Sequence, residues 1–325
     1  MTILEHLEQA QQRPWFSIEI LPPLKGQHLH TLVREMDPLM AYKPAFVNVT
    51  YHREELQYRA AGKGLMQQKI IRKRPGTLGL CAALQIRYGI DAVPHVLCGG
   101  FTKEETENLL IDLDFIGIDN VMALRGDALP GEVYFQPEPN GHRYAVELVR
   151  QIHQLNQGQY LDEDQPDNTP TRFCIGVAGY PEKHSEAPSL QADINQLKAK
   201  VDAGADFIVT QLFFDNQRYF DFVQHCREAG ITVPIIPGLK PITSAQQLRT
   251  LPHRFDIALP HELVQRVQQA TNATQIQQIG VQWCIEQSRA LLAAGVPLIH
   301  YYSMGKSSAV TEVIREVFAT ALTPE

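Results

Sequence analysis

The stretch SLQADINQLKAKVDAGADFIVTQ (residues 189–211) contains the unit that decides the fold of this chain. Its first part carries apolar residues at helical spacing, and its last part, FIVTQ (207–211), is a short apolar run typical of a buried strand. Gly204 lies between the two parts, where glycine commonly ends a helix. The stretch therefore predicts a helix that leads directly into a strand.

The same alternation runs along the whole chain. Amphipathic stretches at 102–115, 217–229 and 274–294 are each followed by a glycine and then by an apolar run. Eight apolar runs predict strands, and they lie at 15–21, 45–50, 92–97, 121–124, 173–178, 207–211, 233–238 and 297–302. Strands that alternate with helices form parallel sheets, so the pattern predicts an α/β fold, a closed (β/α)8 TIM barrel. A doubly wound sheet is disfavoured, because no G-x-G-x-x-G fingerprint follows a strand.

We expect one catalytic barrel domain over residues 1–325. The segment 1–14 precedes the first strand and is interpreted as an N-terminal extension or helix. The segment 156–172 is polar and rich in turn residues, so it is interpreted as a surface loop rather than as a domain boundary.

Composition limits the classes of function. The net charge of -7 gives no electrostatic footprint for nucleic acid or for an anionic membrane. The first 14 residues lack the apolar core of a signal peptide, and no apolar run approaches the roughly 20 residues that span a bilayer. The twelve histidines show no metal-ligand spacing, so no metal site is expected. These features indicate a cytoplasmic protein whose partners are small molecules.

Polar residues follow the predicted strands at their carboxyl ends, where barrels of this class carry their active sites. In NVMALRGDALPG (120–131) the apolar run leads straight into Arg125, Gly126 and Asp127. The other strand-end residues are Glu19, Thr50, His95, Tyr180, His184, Gln211 and Tyr302. Glu19 is expected to be buried, whereas His95 is equally compatible with a site residue and with a hydrogen-bonded core histidine. Without a metal, a nucleophile elbow or a P-loop, these residues favour a bound organic cofactor.

Eight motifs, in this order and spacing, resemble the catalytic barrel of the methylenetetrahydrofolate reductase family. The resemblance covers residues from about 15 to 310 and is strongest between Gln191 and Asp215. The motifs are SIEILPP, FVNVTY, VPHVLC, ALRGD, GYPEKHSEA, LQADINQLKAKVDAGADFIVTQLFFD, PIIPGLKPITS and HYYS.

The resemblance implies an oxidoreductase of one-carbon and methionine metabolism that uses FAD and NAD(P)H to convert 5,10-methylenetetrahydrofolate into 5-methyltetrahydrofolate by ping-pong hydride transfer. Glu19 would be the general acid, and Asp127 the carboxylate near both flavin and pterin. The implied FAD contacts are Thr50, His95, Leu124, Arg125, Gly126, Asp127, Tyr144, Ala145, Tyr180, His184, Asp193 and Lys200. The implied folate contacts are Glu19, Asp127, Gln211, Gln247, Leu251, Tyr302 and Lys306.

Two positions depart from the family pattern. Leu251 replaces a phenylalanine that stacks on substrate in a bacterial relative, and Lys306 replaces an arginine that meets the folate glutamate. Both changes bear on substrate affinity rather than on the reaction. We expect the bacterial type, without the C-terminal regulatory domain of eukaryotic members.

Two alternative functions stay open at this point. One is a pterin-binding methyl-transfer barrel without a redox cofactor, and the other is a non-catalytic flavin- or folate-binding protein. The sequence also leaves open NADH against NADPH, polyglutamate preference and the oligomeric state, including a homo-oligomer.

Overall fold

The computed structural model describes residues 1–62, 64–129, 132, 134–162, 164, 168–303 and 307–322. Lys306, one of the expected folate contacts, lies outside these residues. The described strands are β1 (Trp15–Ile20), β2 (Phe46–Val49), β3 (Glu55–Gly62), β4 (Leu65–Ile71), β5 (Asp91–Leu97), β6 (Asn120–Leu124), β7 (Cys174–Gly179), β8 (Phe207–Thr210), β9 (Ile235–Ile236), β10 (Gly238–Leu239) and β11 (Leu298–Tyr302). The described helices are α1 (Ile3–Gln12), α2 (Leu29–Met40), α3 (Thr77–Tyr88), α4 (Lys103–Phe115), α5 (Ala145–Leu155), α6 (Leu190–Asp202), α7 (Asn216–Glu228), α8 (Gln247–Phe255), α9 (His261–Gln269), α10 (Ala273–Ala293) and α11 (Ser308–Leu322).

The parallel strands form the predicted TIM barrel. Their order is β10-β11-β1-β2-β5-β6-β7-β8-β9, and every neighbouring pair is parallel. Because β9 and β10 follow each other in the chain, pairing of β9 with β8 and of β10 with β11 completes the ring. The prediction of a (β/α)8 barrel is therefore confirmed.

The seventh barrel strand differs from its prediction. A single strand was expected over 233–238, but the structure divides it into β9 and β10 on either side of Pro237. Proline has no N–H to donate to a sheet, which interrupts the ladder at this residue. The Pro237 carbonyl still accepts a hydrogen bond from the His300 N–H at 2.9 Å, so the two halves stay aligned against β11.

A β-hairpin between β2 and α3 was not predicted. Strands β3 and β4 pair antiparallel in a separate two-stranded sheet, joined where Gly62 and Gly64 adopt positive φ angles of 85° and 75°. The G-K-G sequence at 62–64 is a hairpin turn signal. The signal was missed because neither strand contains a continuous apolar run: in β4 the polar residues 67–69 separate Leu65 and Met66 from Ile70 and Ile71.

Apolar side chains fill both faces of the barrel wall. Strand residues such as Phe46, Met122 and Phe207 pack inside the ring, and a larger cluster lies between the strands and the outer helices. Helix α1, which lies within the expected N-terminal segment, adds Ile3 and Leu7 to the inner cluster. The N–H of Ile3 also donates to Asn120 Oδ1 at 2.8 Å, at the start of β6. Helix α1 therefore covers the amino-terminal end of the barrel, which leaves the carboxyl ends of the strands as the open mouth.

The predicted helix ends are found at the expected glycines. Gly117, Gly204, Gly230 and Gly295 all have positive φ angles just after a helix. The helices also begin at suitable caps, since Thr102 and Ser189 accept hydrogen bonds from the first turns of α4 and α6. In the described part of the chain, no helix combines the length and apolar character needed to cross a membrane.

Candidate active site at the carboxyl ends of the strands

Glu19 is buried at the mouth of the barrel, as the sequence predicted. It lies near the end of β1 and pairs in register with Tyr302 of β11 and Asn48 of β2. Its side chain is 15% exposed, and burial raises its pKa to about 8, although the positive charge of Lys240 opposes this shift. At pH 7 Glu19 is therefore a protonated carboxylic acid that can donate a proton.

His95 faces Glu19 from β5. Its Nε2 lies 3.5 Å from Glu19 Oε2 and has no hydrogen-bond partner among the residues that the structure describes. Burial, and then the charge of His52, lowers the pKa of His95 to about 3. The contact therefore joins two neutral groups rather than an ion pair, and the unpaired Nε2 favours a ligand-binding residue over a hydrogen-bonded core histidine.

Tyr302 crosses the mouth above Gly238. Its hydroxyl donates to the Thr210 carbonyl at 2.6 Å, which links β11 to β8 across β10. A Cβ atom at Gly238 would overlap both the Tyr302 ring and the Thr210 carbonyl. Glycine is therefore required at this position to leave space for the tyrosine ring.

Arg125 directly follows β6 and forms a bidentate ion pair with Glu186. Its Nη1 and Nη2 atoms each donate to one oxygen of Glu186 at 2.6 Å. The hydrogen bonds from Arg125 lower the pKa of Glu186, so the carboxylate stays ionised. The charged residue after this apolar strand thus has a clear use, because the planar guanidinium group of Arg125 binds a planar oxyanion through two parallel hydrogen bonds.

Four further predicted residues lie together beside this ion pair. Asp193, in the first turn of α6, accepts from the His184 N–H at 2.9 Å, and the His184 ring packs edge-on against Tyr180 with centroids 4.7 Å apart. Lys200 donates to the Ala178 carbonyl at 2.7 Å, and burial lowers its pKa to about 8 while Asp193 opposes that shift. The cluster combines cations, a carboxylate and an aromatic ring, a donor set that suits a charged organic ligand.

The remaining expected FAD contacts lie at strand and helix ends. Thr50 follows β2, and its hydroxyl donates to the Ile20 carbonyl at 3.3 Å. Leu124 is the last residue of β6, followed by Gly126 with a φ of 86° and by the exposed Asp127. Tyr144 caps the start of α5 and Ala145 is its first residue, and the Glu147 carboxylate accepts from the Tyr144 N–H at 3.2 Å.

Three expected folate contacts come from the β8 end and from α8. Gln211 follows β8, and its side-chain oxygen accepts from the Leu212 N–H at 2.9 Å. Gln247 begins α8 and accepts from the Thr243 N–H at 2.7 Å. Leu251 is 5% exposed and packs in an apolar cluster with Leu212. Their side chains are thus held by their own loops and helix.

Sequence reasoning missed two charged residues of the mouth, Lys240 and Glu186. Lys240 follows β10 and is 7% exposed, and its signal was its position at the end of the apolar run VPIIPG. Glu186 lies in the GYPEKHSEA motif, only two residues after His184. Lys240 thus follows the strand-end rule, whereas Glu186 lies further out, in the loop after β7. In the described part of the chain, no group of three His, Cys, Asp or Glu side chains is arranged to hold a metal ion.

The fold and the site define a (β/α)8-barrel protein with a buried acid and a charged ligand cluster at the carboxyl ends of its strands. The family model described as methylenetetrahydrofolate reductase matches residues 2–317, so the chain belongs to the methylenetetrahydrofolate reductase family. The resemblance drawn from the sequence motifs is thereby confirmed.

Individual relatives agree with this assignment. The Salmonella typhimurium protein named 5,10-methylenetetrahydrofolate reductase is 31% identical over 304 residues, which cover 93% of this chain and 90% of the relative. A Caenorhabditis elegans protein named probable methylenetetrahydrofolate reductase (NADPH) is 30% identical over 316 residues, or 97% of this chain and 43% of the relative. The chain thus spans about half the length of the curated eukaryotic relatives that it matches.

A solved structure supports the fold independently. A Clostridium thermocellum protein, described as binding two copies of 5-methyl-5,6,7,8-tetrahydrofolic acid, superposes with a TM-score of 0.57 at 13% identity. The superposition covers 98% of this chain and 100% of that chain. At this level of identity the likeness concerns the fold.

Proposed function

We propose that the protein catalyses the NAD(P)H-dependent reduction of 5,10-methylenetetrahydrofolate to 5-methyltetrahydrofolate with bound FAD. The observation that carries the proposal is Glu19, a carboxylic acid that burial keeps protonated at the barrel mouth, with a pKa of about 8. Membership of the methylenetetrahydrofolate reductase family supplies the substrate class. The reaction requires a proton donor near a substrate nitrogen, and a donor with a pKa near the working pH is well suited to that step.

The donor set around Arg125 and α6 fits FAD. The cofactor carries a diphosphate, and the Arg125 guanidinium already takes two carboxylate oxygens side by side, as it would take phosphate oxygens. Lys200 would add a second cation, and Asp193 would accept from sugar-alcohol hydroxyls. Thr50, His95, Leu124, Gly126, Tyr144, Ala145, Tyr180 and His184 would complete this site. When bound, FAD would supply the two-electron carrier between NAD(P)H and the folate in a ping-pong cycle.

Glu19 and His95 would have different polar roles in the mouth, Glu19 toward the folate and His95 toward FAD. Glu19 would give its proton to a nitrogen of the five-membered ring of the substrate, which opens the ring and leaves Glu19 as a carboxylate. His95 stays neutral because burial lowers its pKa to about 3, so its Nε2 would exchange a hydrogen bond with a ligand without adding charge. Asp127 would face both ligands from the end of β6.

The folate would be held from the β8 side of the mouth. Gln211 would orient the pterin by its amide, with Gln247 and Tyr302 as further polar contacts. Leu251 would contribute an apolar contact in place of stacking. Lys306 would attract the glutamate carboxylate as a point charge, with less directional restraint than an arginine.

Anaerobic stopped-flow spectroscopy of the flavin tests the proposal. Purified protein with FAD should lose its flavin absorbance on mixing with NADH or NADPH and regain it on mixing with methylenetetrahydrofolate. A protein that stays colourless with added FAD would reject the reductase function, and the methyl-transfer alternative would remain. A yellow protein that neither NADH nor NADPH reduces would favour the non-catalytic carrier. The faster nucleotide would also define the physiological electron donor.

A further inference from the structure

Lys240 is a buried lysine in the barrel mouth that the proposed reaction does not yet use. It directly follows β10, and its exposure is only 7%. Ammonium groups are seldom buried to this degree unless their charge has a use. The backbone around it is fixed, because Gly280 of α10 packs so closely on the Ile242 carbonyl that a Cβ atom there would overlap it.

The strand register places Lys240 level with the acid. Leu239 pairs with Tyr301, and Glu19 pairs with Tyr302, so Lys240, Tyr302 and Glu19 lie at the same height on three successive strand ends. Lys240 is two residues beyond Gly238, which faces the Tyr302 ring inside the mouth. Because side chains alternate along a strand, Lys240 continues the inward row.

The charges around Glu19 can be named from each neighbouring element. β11 contributes the neutral Tyr302, and β5 contributes the neutral His95. Cys284 of α10, whose pKa burial raises to about 12, is a neighbour of Lys240 rather than of Glu19. The positive charge of Lys240 opposes the rise in the pKa of Glu19 that burial causes. Burial lowers the pKa of Lys240, and the charge of Glu19 opposes that shift only in part. In the described part of the chain no salt bridge joins Glu19 to Lys240, so the interaction acts through space.

A buried acid faces a difficulty in catalysis. Burial favours the protonated form of the acid. Once the acid has donated its proton, the same burial destabilises the carboxylate that remains. A cation held at a fixed distance compensates part of that cost without forming a contact ion pair that would deprotonate the acid beforehand. The position of Lys240 meets both conditions.

We propose that Lys240 is a positioning residue whose fixed charge, level with Glu19 in the barrel mouth, stabilises the Glu19 carboxylate that forms when the acid has given its proton to the substrate. This role rests on the proposed reductase function, in which Glu19 gives up one proton and regains one in each turnover. Lys240 acts on the acid rather than on the reacting atoms.

Infrared difference titration of the Glu19 carboxyl tests this proposal directly. The protonated-carboxyl band of Glu19, assigned by its loss in Glu19→Gln, should disappear in the wild type as the pH rises through about 8. In Lys240→Met, which matches the length of the side chain without its charge, the midpoint should move upward by on the order of one pH unit. Lys240→Arg keeps the charge and should restore the wild-type midpoint.

Exposed Lys69 on β4 provides the matched control, and Lys69→Met should leave the midpoint unchanged. If Lys240→Met does not fold, Lys240→Gln makes the same comparison with a polar side chain. An unchanged midpoint in a folded Lys240 variant would overturn the proposed coupling. A shifted midpoint in a protein that does not reduce methylenetetrahydrofolate would instead reject the reductase function while the charge coupling stands. The alkaline limb of the folate half-reaction should move with the infrared midpoint.

Discussion

The two sides of the barrel mouth differ in the charge state of their titratable side chains. On the acid side, formed by Glu19, His95 and Tyr302, burial raises the pKa of the carboxyl and lowers that of the imidazole until both are neutral at pH 7. On the ion-pair side, formed by Arg125, Glu186, Asp193 and Lys200, the Arg125 guanidinium and the Glu186 carboxylate hold each other in their charged forms.

The difference follows from the partners that each side provides. Glu19 and His95 lie 3.5 Å apart without a well-formed hydrogen bond, so desolvation outweighs their attraction. Arg125 and Glu186 make two bonds of 2.6 Å near the surface, where water and geometry both favour the ions. A neutral pair can move a proton, whereas a fixed ion pair can hold an anion, so each side is suited to one part of the proposed reaction.

The largest expected effect comes from removing the proton on the acid side. Glu19→Gln should slow reoxidation of the flavin by methylenetetrahydrofolate by roughly 10²–10⁴-fold, because a positioned acid contributes about this factor. Reduction of the flavin by NADH should change little, since that step needs no proton donor at Glu19. Stopped-flow traces of the two half-reactions measure both rates. Equal slowing of the two would mean that Glu19 has a structural role.

The same substitution should alter how stability depends on pH. Folding raises the pKa of Glu19 from its usual 4.5 to about 8. The contribution of Glu19 to the free energy of unfolding is therefore fully present below pH 4.5, and it is lost as the pH rises toward about 8. Glu19→Gln lacks this loss, so its free energy of unfolding should exceed that of the wild type by up to about 4 kcal/mol above pH 8. Urea titrations at pH 5 and pH 9 measure the difference. The exposed Glu8→Gln should show none, and a wild type that is equally stable at both pH values would contradict a buried neutral acid.

On the ion-pair side, Arg125→Gln should weaken FAD binding by roughly 10–100-fold. A charge-assisted hydrogen-bond pair contributes about 1.5–3 kcal/mol, and glutamine cannot replace the fork. Quenching of FAD fluorescence on titration into apoprotein measures the dissociation constant. Arg150→Gln alters an exposed arginine of α5 and should have no effect. An unchanged affinity in Arg125→Gln would place the diphosphate elsewhere.

The sequence predicted the barrel architecture, but it predicted the two sides of its mouth only in part. Helical periodicity, the glycines after α4, α6, α7 and α10, and the apolar runs were sufficient for the (β/α)8 architecture, because each is a local signal. Burial of Glu19 also followed locally, from the prolines and apolar neighbours around it.

What the sequence could not supply depends on distant contacts. The Lys240–Glu19 coupling joins residues far apart in the chain through the register of β10, β11 and β1. The pairing of Arg125 with Glu186 depends on which loop turns back over β6, and neither residue type identifies its partner. The hairpin of β3 and β4 was missed because polar residues interrupt the apolar ones in both strands, so neither shows the continuous apolar run that identified the others.

The smallest expected effect concerns Glu186, which either competes with the FAD diphosphate for Arg125 or holds Arg125 in the orientation that binds it. The Glu186 carboxylate occupies both prongs of the fork that the FAD diphosphate would need, so binding must exchange one oxyanion for the other. Glu186→Gln removes the competing charge, and the FAD dissociation constant should fall by up to about fivefold, because a partly exposed ion pair contributes about 0–1 kcal/mol. The gain should shrink as salt screens the pair in the wild type. Weaker FAD binding in Glu186→Gln would show instead that the carboxylate holds the guanidinium in place, and the ion-pair side would then be a prearranged site rather than a competing one.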